Sequence, residues 1–221
     1  EVVLVAIDDA SLMDVGRWPW PRRVHAELIR RLAARGAAVI GFDVIFAEAD
    51  EADPAGDMLL AAAIASAGNV VLPVYHEEVG GLRIERGPMP LLAAAVAGLG
   101  HVHLIPDADG RLRRFRLTEA ERPSLPMAML ALAGHDAPKV AEVLLPLSRG
   151  TDRVRSLPAR EVLRTGGMPR DLAGTLVLVG VTAVGLAPRA RWPDGSEMAA
   201  AEVQAAALGA LRQGGVVYEV R

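Results

Sequence analysis

Two aspartates follow apolar segments that are typical of buried strands. Asp8 comes directly after the run Val2–Ile7, and Asp43 follows a second apolar run, residues 37–42. A continuous apolar run indicates a strand covered on both faces, as in parallel sheets, and open α/β sheets bind ligands beyond the carboxyl ends of their strands. We expect the two strands to be neighbours. The carboxylates then predict a site for a cation or a polar ligand, the alternative being that each aspartate only caps the loop after it.

A segment rich in tryptophan and proline separates these two strands. Trp18 and Trp20 bracket Pro19, and alternate residues of an extended backbone point to the same side. The two indoles therefore either line an apolar pocket or pack over the edge of the sheet and fix the entry into the following helix.

Arginines flank the tryptophan segment on both sides. We expect Arg17 and Arg22 to pair with the carboxylates of Asp8 and Asp43. Thr182, in the turn after a later apolar strand, completes the candidate ligand-binding set, which comprises Asp8, Asp43, Arg17, Trp18, Arg22 and Thr182.

Metal-binding patterns are incomplete in this sequence. His101 and His103 alternate along a predicted strand, but no spacing indicates a third ligand, so we expect core or interface histidines. The tetrapeptide Asp-Ala-Asp-Gly at 107–110 has Arg116 where a calcium loop needs its last glutamate, so a hairpin turn is expected instead. We predict no metal and no cofactor.

Catalytic and phosphate-binding signatures are also missing. Residues 179–185 superficially resemble a nucleotide-binding turn but lack the glycine spacing, and Lys139, the one lysine, is far from it. No nucleophile elbow or zinc-peptidase motif is present, so we predict that the chain is not an enzyme. The arginines at 111, 113, 114 and 116 have a single aromatic, Phe115, among them, which is a weak signal for phosphate binding, and we interpret them as a solvated strand face.

The elements that must position these residues form an α/β pattern. The first strand, a helix between Pro21 and Gly36 and the second strand are expected to form one βαβ unit. Residues 46–57 are predicted to be an exposed acidic loop. The remaining predictions are helices at 58–67, 90–97, 125–133, 158–164 and 198–211, strands at 70–74, 140–147 and 175–180, a hairpin at 75–86, and two strands, 100–105 and 111–117, joined by a tight turn.

Composition narrows the class of protein. The 221 residues include no cysteine, which excludes a disulfide scaffold. The 24 basic and 27 acidic side chains form no long block of one sign, so the sequence lacks the basic patch that is typical of a nucleic-acid binder. We therefore predict an α/β fold with a mainly parallel central sheet, helices on both faces and an antiparallel hairpin.

The order of the motifs resembles one known family. The segments that carry the resemblance are 7–8, 16–22, 41–46, 69–73, 98–102, 106–110 with Arg113 and Arg114, and 176–180. In this order they are similar to the second type of CHASE domain, a class of extracellular sensory domains associated with cyclases and histidine kinases. The resemblance runs from about residue 1 to 213.

The resemblance implies an extracytoplasmic, periplasmic sensor of a bacterial membrane receptor, with its own transmembrane helices and a cytoplasmic histidine kinase, cyclase or similar output domain. Family members commonly carry other residues where this chain has Pro188, Trp192-Pro193, Ala200, Gln204 and Ala206. If those positions touch a ligand, this chain has lost or changed it.

The resemblance also sets the expected domain organisation. We expect a sensor domain over 1–213 and a segment, 214–221, that leads toward a membrane helix of a longer polypeptide. Glu1 runs directly into the first strand, so a preceding membrane helix would place Asp8 and Asp43 away from the membrane.

The sequence leaves three functions open. The first is a sensor for a small molecule or a protein. The second is a soluble α/β enzyme or binding protein for a small phosphorylated ligand that uses the turn at 180–185. The third is a structural or homodimerisation module built on the alanine-rich last helix.

Overall fold

A computed structural model of the chain describes residues 1–136, 138–145, 154–164 and 171–215. The strands are β1 (Val2–Ile7), β2 (Val39–Asp43), β3 (Val70–Val79), β4 (Leu82–Arg86), β5 (Gly98–His101), β6 (Arg114–Arg116), β7 (Thr118–Glu119), β8 (Arg122–Pro123), β9 (Glu142–Leu144), β10 (Arg155–Pro158), β11 (Leu176–Val181), β12 (Arg189–Arg191) and β13 (Glu197–Ala199). The helices are α1 (Asp9–Val15), α2 (Arg22–Ala34), α3 (Pro54–Ala67), α4 (Pro90–Ala93), α5 (Leu125–Leu132), α6 (Ala159–Leu163) and α7 (Ala200–Arg212).

A seven-stranded, mainly parallel sheet forms the centre of the fold. Its strand order is β10-β1-β11-β2-β3-β4, and β5 pairs with β3. All pairs are parallel except β3 with β4. The three other described sheets are two-stranded and antiparallel. The predicted α/β class with a mainly parallel sheet and an antiparallel hairpin is therefore confirmed.

Both faces of the sheet are covered, which explains the continuous apolar runs. In β1, Val3, Val5 and Ile7 belong to one buried cluster, whereas the alternate residues Leu4 and Ala6 belong to the other. Helices α2, α3, α4 and α6 contribute to the first cluster, and α5 and α7 contribute to the second. A strand buried on both sides has no polar face, so its sequence shows no alternation.

Local signals start the helices that flank the sheet. Pro21 precedes α2, which buries one stripe that includes Leu28, Ile29 and Leu32. Asp53 caps α3 by accepting a hydrogen bond from the Gly56 N–H, as a side-chain cap does at a helix start.

The predicted βαβ unit is wrong in its strand pairing. β1 and β2 are parallel, but β11 lies between them and pairs with both. The carboxyl ends of β1 and β2 are therefore two strand spacings apart, about 10 Å. β11 enters the sheet from more than 130 residues later in the chain, and its apolar pattern matches that of its neighbours, so no local signal reveals the insertion.

The predicted exposed acidic loop at 46–57 is also wrong in part. Helix α3 already begins at Pro54, and both Phe46 and Asp57 are buried. Asp57 is held by Arg22 and Asp53 by Arg23. Acidic residues that were expected to be solvated are thus partners of the arginines that start α2.

One of the two predicted hairpins is confirmed. β3 and β4 pair around Gly80 and Gly81, which both have positive φ, as a two-residue hairpin turn requires. Residues 100–105 and 111–117 do not pair, although residues 107–110 do form a tight turn. β5 instead pairs with β3, and β6 pairs with β9.

The remaining element predictions agree with the described residues, with small changes at their ends. The helix predicted at 90–97 is the shorter α4, the helix at 198–211 is α7, and the strand at 140–147 is β9 within its described part. Sequence reasoning missed α1, the central-sheet strand β10 and the short strands β7, β8, β12 and β13. The segment from residue 216 onward lies outside the described residues.

Among the helices of the described ranges, none has the length and apolar character needed to cross a bilayer.

A close approach of backbone to backbone fixes the position of β5. A methyl group at Gly100 would lie 2.6 Å from the Leu125 Cα and 2.7 Å from the Leu125 nitrogen, at the start of α5. At Gly98, on the same strand, the nearest atoms would be Val71 methyl carbons at 3.8 and 3.9 Å, an ordinary contact.

We predict that Gly100→Ala destabilises the protein and that Gly98→Ala does not. The first change forces α5 away from β5, and overpacking of this kind costs about 1–3 kcal/mol. Thermal unfolding should show a melting temperature lowered by about 3–10 °C for Gly100→Ala and nearly unchanged for Gly98→Ala. Equal melting temperatures for the two variants would contradict the packing of β5 on α5.

Candidate ligand-binding site

A cavity of about 520 Å³ opens at the carboxyl ends of the parallel strands. Val44 after β2, Val181 at the end of β11 and Val102 after β5 contribute to its wall, and the loop from Leu186 to Pro188 closes another side. Its volume falls in the range of small-molecule sites. The cavity therefore lies where open α/β sheets bind ligands.

An aromatic cluster supports one wall of the cavity. We define it as Trp18, Trp20, His25, Phe42 and Phe46. The rings of Trp18 and Trp20 lie 6.1 Å apart, centroid to centroid, and that of His25 lies 5.8 Å from Trp18 and 5.1 Å from Phe46. Trp20 is buried and donates its indole N–H to the Gly16 carbonyl, whereas Trp18 is half-buried. The indoles thus line the cavity, and the Trp20 hydrogen bond ties the tryptophan segment to Gly16 at the end of α1.

His25 is a buried, uncharged member of this cluster. Burial, with the nearby charge of Arg22 as a smaller cause, lowers the pKa of His25 to about 3. The ring is therefore neutral at physiological pH and packs as an aromatic group.

Asp43 is the acidic group of the cavity. It ends β2 and lines the cavity, and its side chain makes no hydrogen bond or ion pair with any residue in the described ranges. Burial raises the pKa of Asp43 to about 6. A carboxylate that is desolvated without a partner is poorly stabilised, so the free protein holds its charge at an energetic cost.

Arg22 lines the cavity but does not pair with Asp43, contrary to the expectation. Its Nε donates to Asp57 Oδ1 at 3.1 Å and its Nη2 to the Glu48 carbonyl at 2.9 Å. The guanidinium carbon lies 4.8 Å from the centre of the Phe46 ring, a cation–π distance. Arg22, which was expected to pair with Asp43, therefore pairs with Asp57, a residue that was predicted to lie in a solvated loop.

Three predicted site residues lie outside the cavity lining. Asp8 caps α1 by accepting from the Ser11 N–H at 2.8 Å, so the capping alternative is the one the structure shows for Asp8. Arg17 is exposed, and it makes no pair with Asp8 or Asp43. The Thr182 N–H donates to the Ile7 carbonyl, which ties the turn to β1.

A polar network adjoins the cavity at His103. The ring Nδ1 of His103 contacts Glu119, and its Nε2 accepts from the His76 N–H at 2.7 Å. Glu119 is buried and also accepts from Arg83 and Arg116. Burial alone would raise the pKa of Glu119, but these hydrogen bonds and charges outweigh it and lower the pKa to about 2.

Side chains of the network have metal-ligand types. Candidate ligand atoms of His76, His103 and Glu119 lie within 4.8 Å of one another. His103, however, already uses both ring nitrogens, and a metal on Nδ1 would need a proton on Nε2, where the His76 N–H points. The arrangement fits an ion-pair network that ties the β3–β4 hairpin to β7. Sequence reasoning could not name Glu119 or His76 because they come from distant strands.

The positions where the chain departs from the resembled family divide into two groups. Pro188 and Ala200 line the cavity. Gln204, Ala206 and Trp192 are buried in the core, and the Gln204 side chain donates to the Val102 carbonyl at 3.1 Å. Changes at the first group alter the cavity wall directly.

The unpaired carboxylate of Asp43 predicts a stabilising substitution. In the folded chain its pKa is raised from 3.8 to about 6, so ionisation reduces the stability of the fold as pH rises through this window. Asp43→Asn removes that cost, and we expect it to raise the free energy of unfolding by about 1–3 kcal/mol at pH 7.5 and by little at pH 4. Urea denaturation at the two pH values measures the difference.

Asp14→Asn is the matched control, because Asp14 is exposed and its ion pair with Arg160 is long, 3.4 Å. We expect this variant to change stability by less than about 0.5 kcal/mol at either pH. A loss of stability in Asp43→Asn at pH 7.5 would mean that Asp43 has a partner, and an equal gain at both pH values would mean that ionisation of Asp43 does not weaken the fold.

Comparison with known proteins identifies the family. A family model, the CHASE2 domain, matches residues 1–219. Comparisons with curated proteins and with solved structures find no match. Because the family match covers nearly the whole chain, this chain belongs to the CHASE2 domain family, whose members are extracellular sensory domains of signalling receptors.

Proposed function

We propose that this chain is the extracytoplasmic ligand-recognition domain of a bacterial transmembrane receptor with a histidine kinase, nucleotide cyclase or similar output, and that the signal binds in the cavity. The observation that carries the proposal is the cavity at the carboxyl edge of the sheet in a member of a sensory family. A small molecule is favoured over a protein signal because the cavity is concave and mainly apolar.

The cavity and the first residue lie at opposite ends of the sheet. Glu1 precedes β1, and its carbonyl accepts from Leu176 at the start of β11, whereas the cavity lies beyond the ends of β11 and β2. A membrane helix joined to Glu1 would place the membrane at the amino edge and the cavity on the periplasmic side.

Helix α7 connects these two ends. Ala200, its first residue, lines the cavity, while a methyl group at Gly209 would lie 3.2 Å from Val154, just before β10. Thirteen helical residues span about 20 Å. A ligand that touches Ala200 can therefore bias the position of α7, whose other end points toward the membrane side in this orientation.

The phosphate-binding alternative gains no support from the turn after β11. The N–H groups of Thr182 and Ala183 both donate to the Ile7 carbonyl, and the Val184 N–H points at an Asp9 carboxylate oxygen, 3.5 Å away. A phosphate cradle needs such amides to be free and away from negative charge. Nothing in the turn favours phosphorylated ligands.

Helix α7 also does not offer the surface expected of a dimerisation helix. Its alanines pack inside the chain, and ten of its residues are buried, among them Ala201, Ala205 and Ala207. A homodimer remains a prediction that would have to use another face.

The location of the domain can be tested with fusions behind Arg212 of the intact gene product in a bacterial host. We expect alkaline phosphatase, which is active only outside the cytoplasm, to be active, and a cytoplasm-dependent fluorescent protein to be dark. Fusions to one periplasmic and one cytosolic protein calibrate both reporters. The reverse pattern would contradict an extracytoplasmic domain.

Coupling from the cavity to the output can be tested with Ala200→Leu in the intact receptor. The larger side chain enters the cavity beside the first turn of α7, and a packing cost of about 1–3 kcal/mol there should change basal output activity by about twofold or more. Ala62→Leu, on the exposed side of α3, is the control and should leave the output unchanged. Unchanged output in both variants, with normal folding of the domain, would argue against the cavity as the signal site.

A further inference from the structure

The charges around the cavity leave one acid without a partner. Arg22 is neutralised by Asp57, and the buried Glu119 of the adjoining network by Arg83 and Arg116. His25 is neutral. Asp43 has no cation among the residues in the described ranges. Among the described residues that line the cavity, Asp43 is therefore the carboxylate that lacks a counter-charge.

We propose that the cavity binds an organic cation, an amine or quaternary ammonium group with an apolar body, with the cationic group against Asp43. The proposal rests on the proposed function, because it names the class of signal that the same cavity would take. The cationic group supplies the missing partner of Asp43. The apolar body contacts Trp18 and the aliphatic wall formed by Val44, Leu104, Val181, Leu186 and Ala200.

The aromatic side of the cavity suits a cation. Trp18 is half-buried, packs against Trp20 and His25 with ring planes inclined at 60° and 89°, and lines the same cavity as Asp43. A tryptophan face attracts cations more strongly than any other side-chain ring. The Phe46 ring already carries the Arg22 guanidinium, so Trp18 is the ring left for a ligand.

An anionic ligand fits this cavity poorly. It would meet the Asp43 carboxylate, and the charge of Arg22 is already matched by Asp57, which is 4% exposed and also accepts from the Asp50 N–H. A bare divalent ion fits no better, because such ions require several oxygen ligands and the cavity offers one carboxylate. An organic cation needs only one counter-charge and an apolar surface.

The proposal can be tested with three cationic probes and two isosteres on the 221-residue chain. The cations are 2-phenylethylamine, tryptamine and benzyltrimethylammonium; 2-phenylethanol is the neutral isostere and 3-phenylpropionate the anionic one. We expect calorimetry to show saturable binding of at least one cation, about tenfold or more tighter than either isostere. Binding of no cation, or equal or tighter binding of an isostere, overturns the proposal.

Variants locate the bound cation. Asp43→Asn should weaken binding by about tenfold or more, because it removes the counter-charge, whereas Asp14→Asn should leave it unchanged. Melting curves confirm that both variants fold. Binding that is unaffected by Asp43→Asn places the cation elsewhere and overturns the proposal.

Nuclear magnetic resonance of the three indole N–H groups gives an independent readout. Trp18 lines the cavity, whereas Trp192 is fully buried in the core on the other face of the sheet. The Trp18 signal, assigned with Trp18→Phe, should shift on titration with the cation and the Trp192 signal should not. A shift confined to Trp192 contradicts binding in the cavity.

These experiments separate the ligand class from the sensory role. If cavity substitutions change the receptor output while no cation binds, the sensor proposal is supported and the proposal of an organic cation as ligand is rejected. If a cation binds but Ala200→Leu leaves the output unchanged, the proposal of an organic cation is supported and the proposed coupling from the cavity to the receptor output is rejected.

Discussion

Burial of both faces of the parallel strands is the constraint on which the rest of the structure depends. Alternate residues of β1 enter different cores, with Val5 on one side and Leu4 on the other. Helices must then cover both faces, and the strand ends remain as the place where polar groups meet a cavity. The cavity, the turn after β11 and the first residue of α7 all lie at this carboxyl edge.

At this edge, the pairing of charges separates structural from ligand-facing acids. Asp57 and Glu119 are buried but held by arginines, so their charges contribute to the fold. Asp43 is left without such a partner among the described residues, and burial raises its pKa. A group that weakens the folded state yet occupies a cavity wall is a common feature of functional sites, because a ligand can satisfy what the protein does not.

Close packing makes α7 a mechanical link between the cavity and the opposite end of the sheet. A methyl group at Gly180 would lie 2.4 Å from the Ala201 Cβ, so helix and strand are in direct contact beside Asp43. Interiors packed this tightly transmit small displacements instead of absorbing them. A ligand at the first turn of α7 therefore acts on an element whose other end lies near the start of β1 and β10.

The sequence by itself determined the α/β class, most helices and strands, the hairpin at Gly80 and Gly81, and the family resemblance, because apolar runs, proline, glycine and turn residues act locally. It also pointed to Asp43, Trp18 and Arg22, which line the cavity, because strand ends and the tryptophan–proline segment can be recognised from the order of residues alone. Only the tertiary structure decided that β11 separates β1 from β2, that Arg22 pairs with Asp57 instead of Asp43, and that His76, His103 and Glu119 meet. Strand order and charge pairing are set by contacts between residues tens of positions apart, and many alternative pairings satisfy the same local pattern.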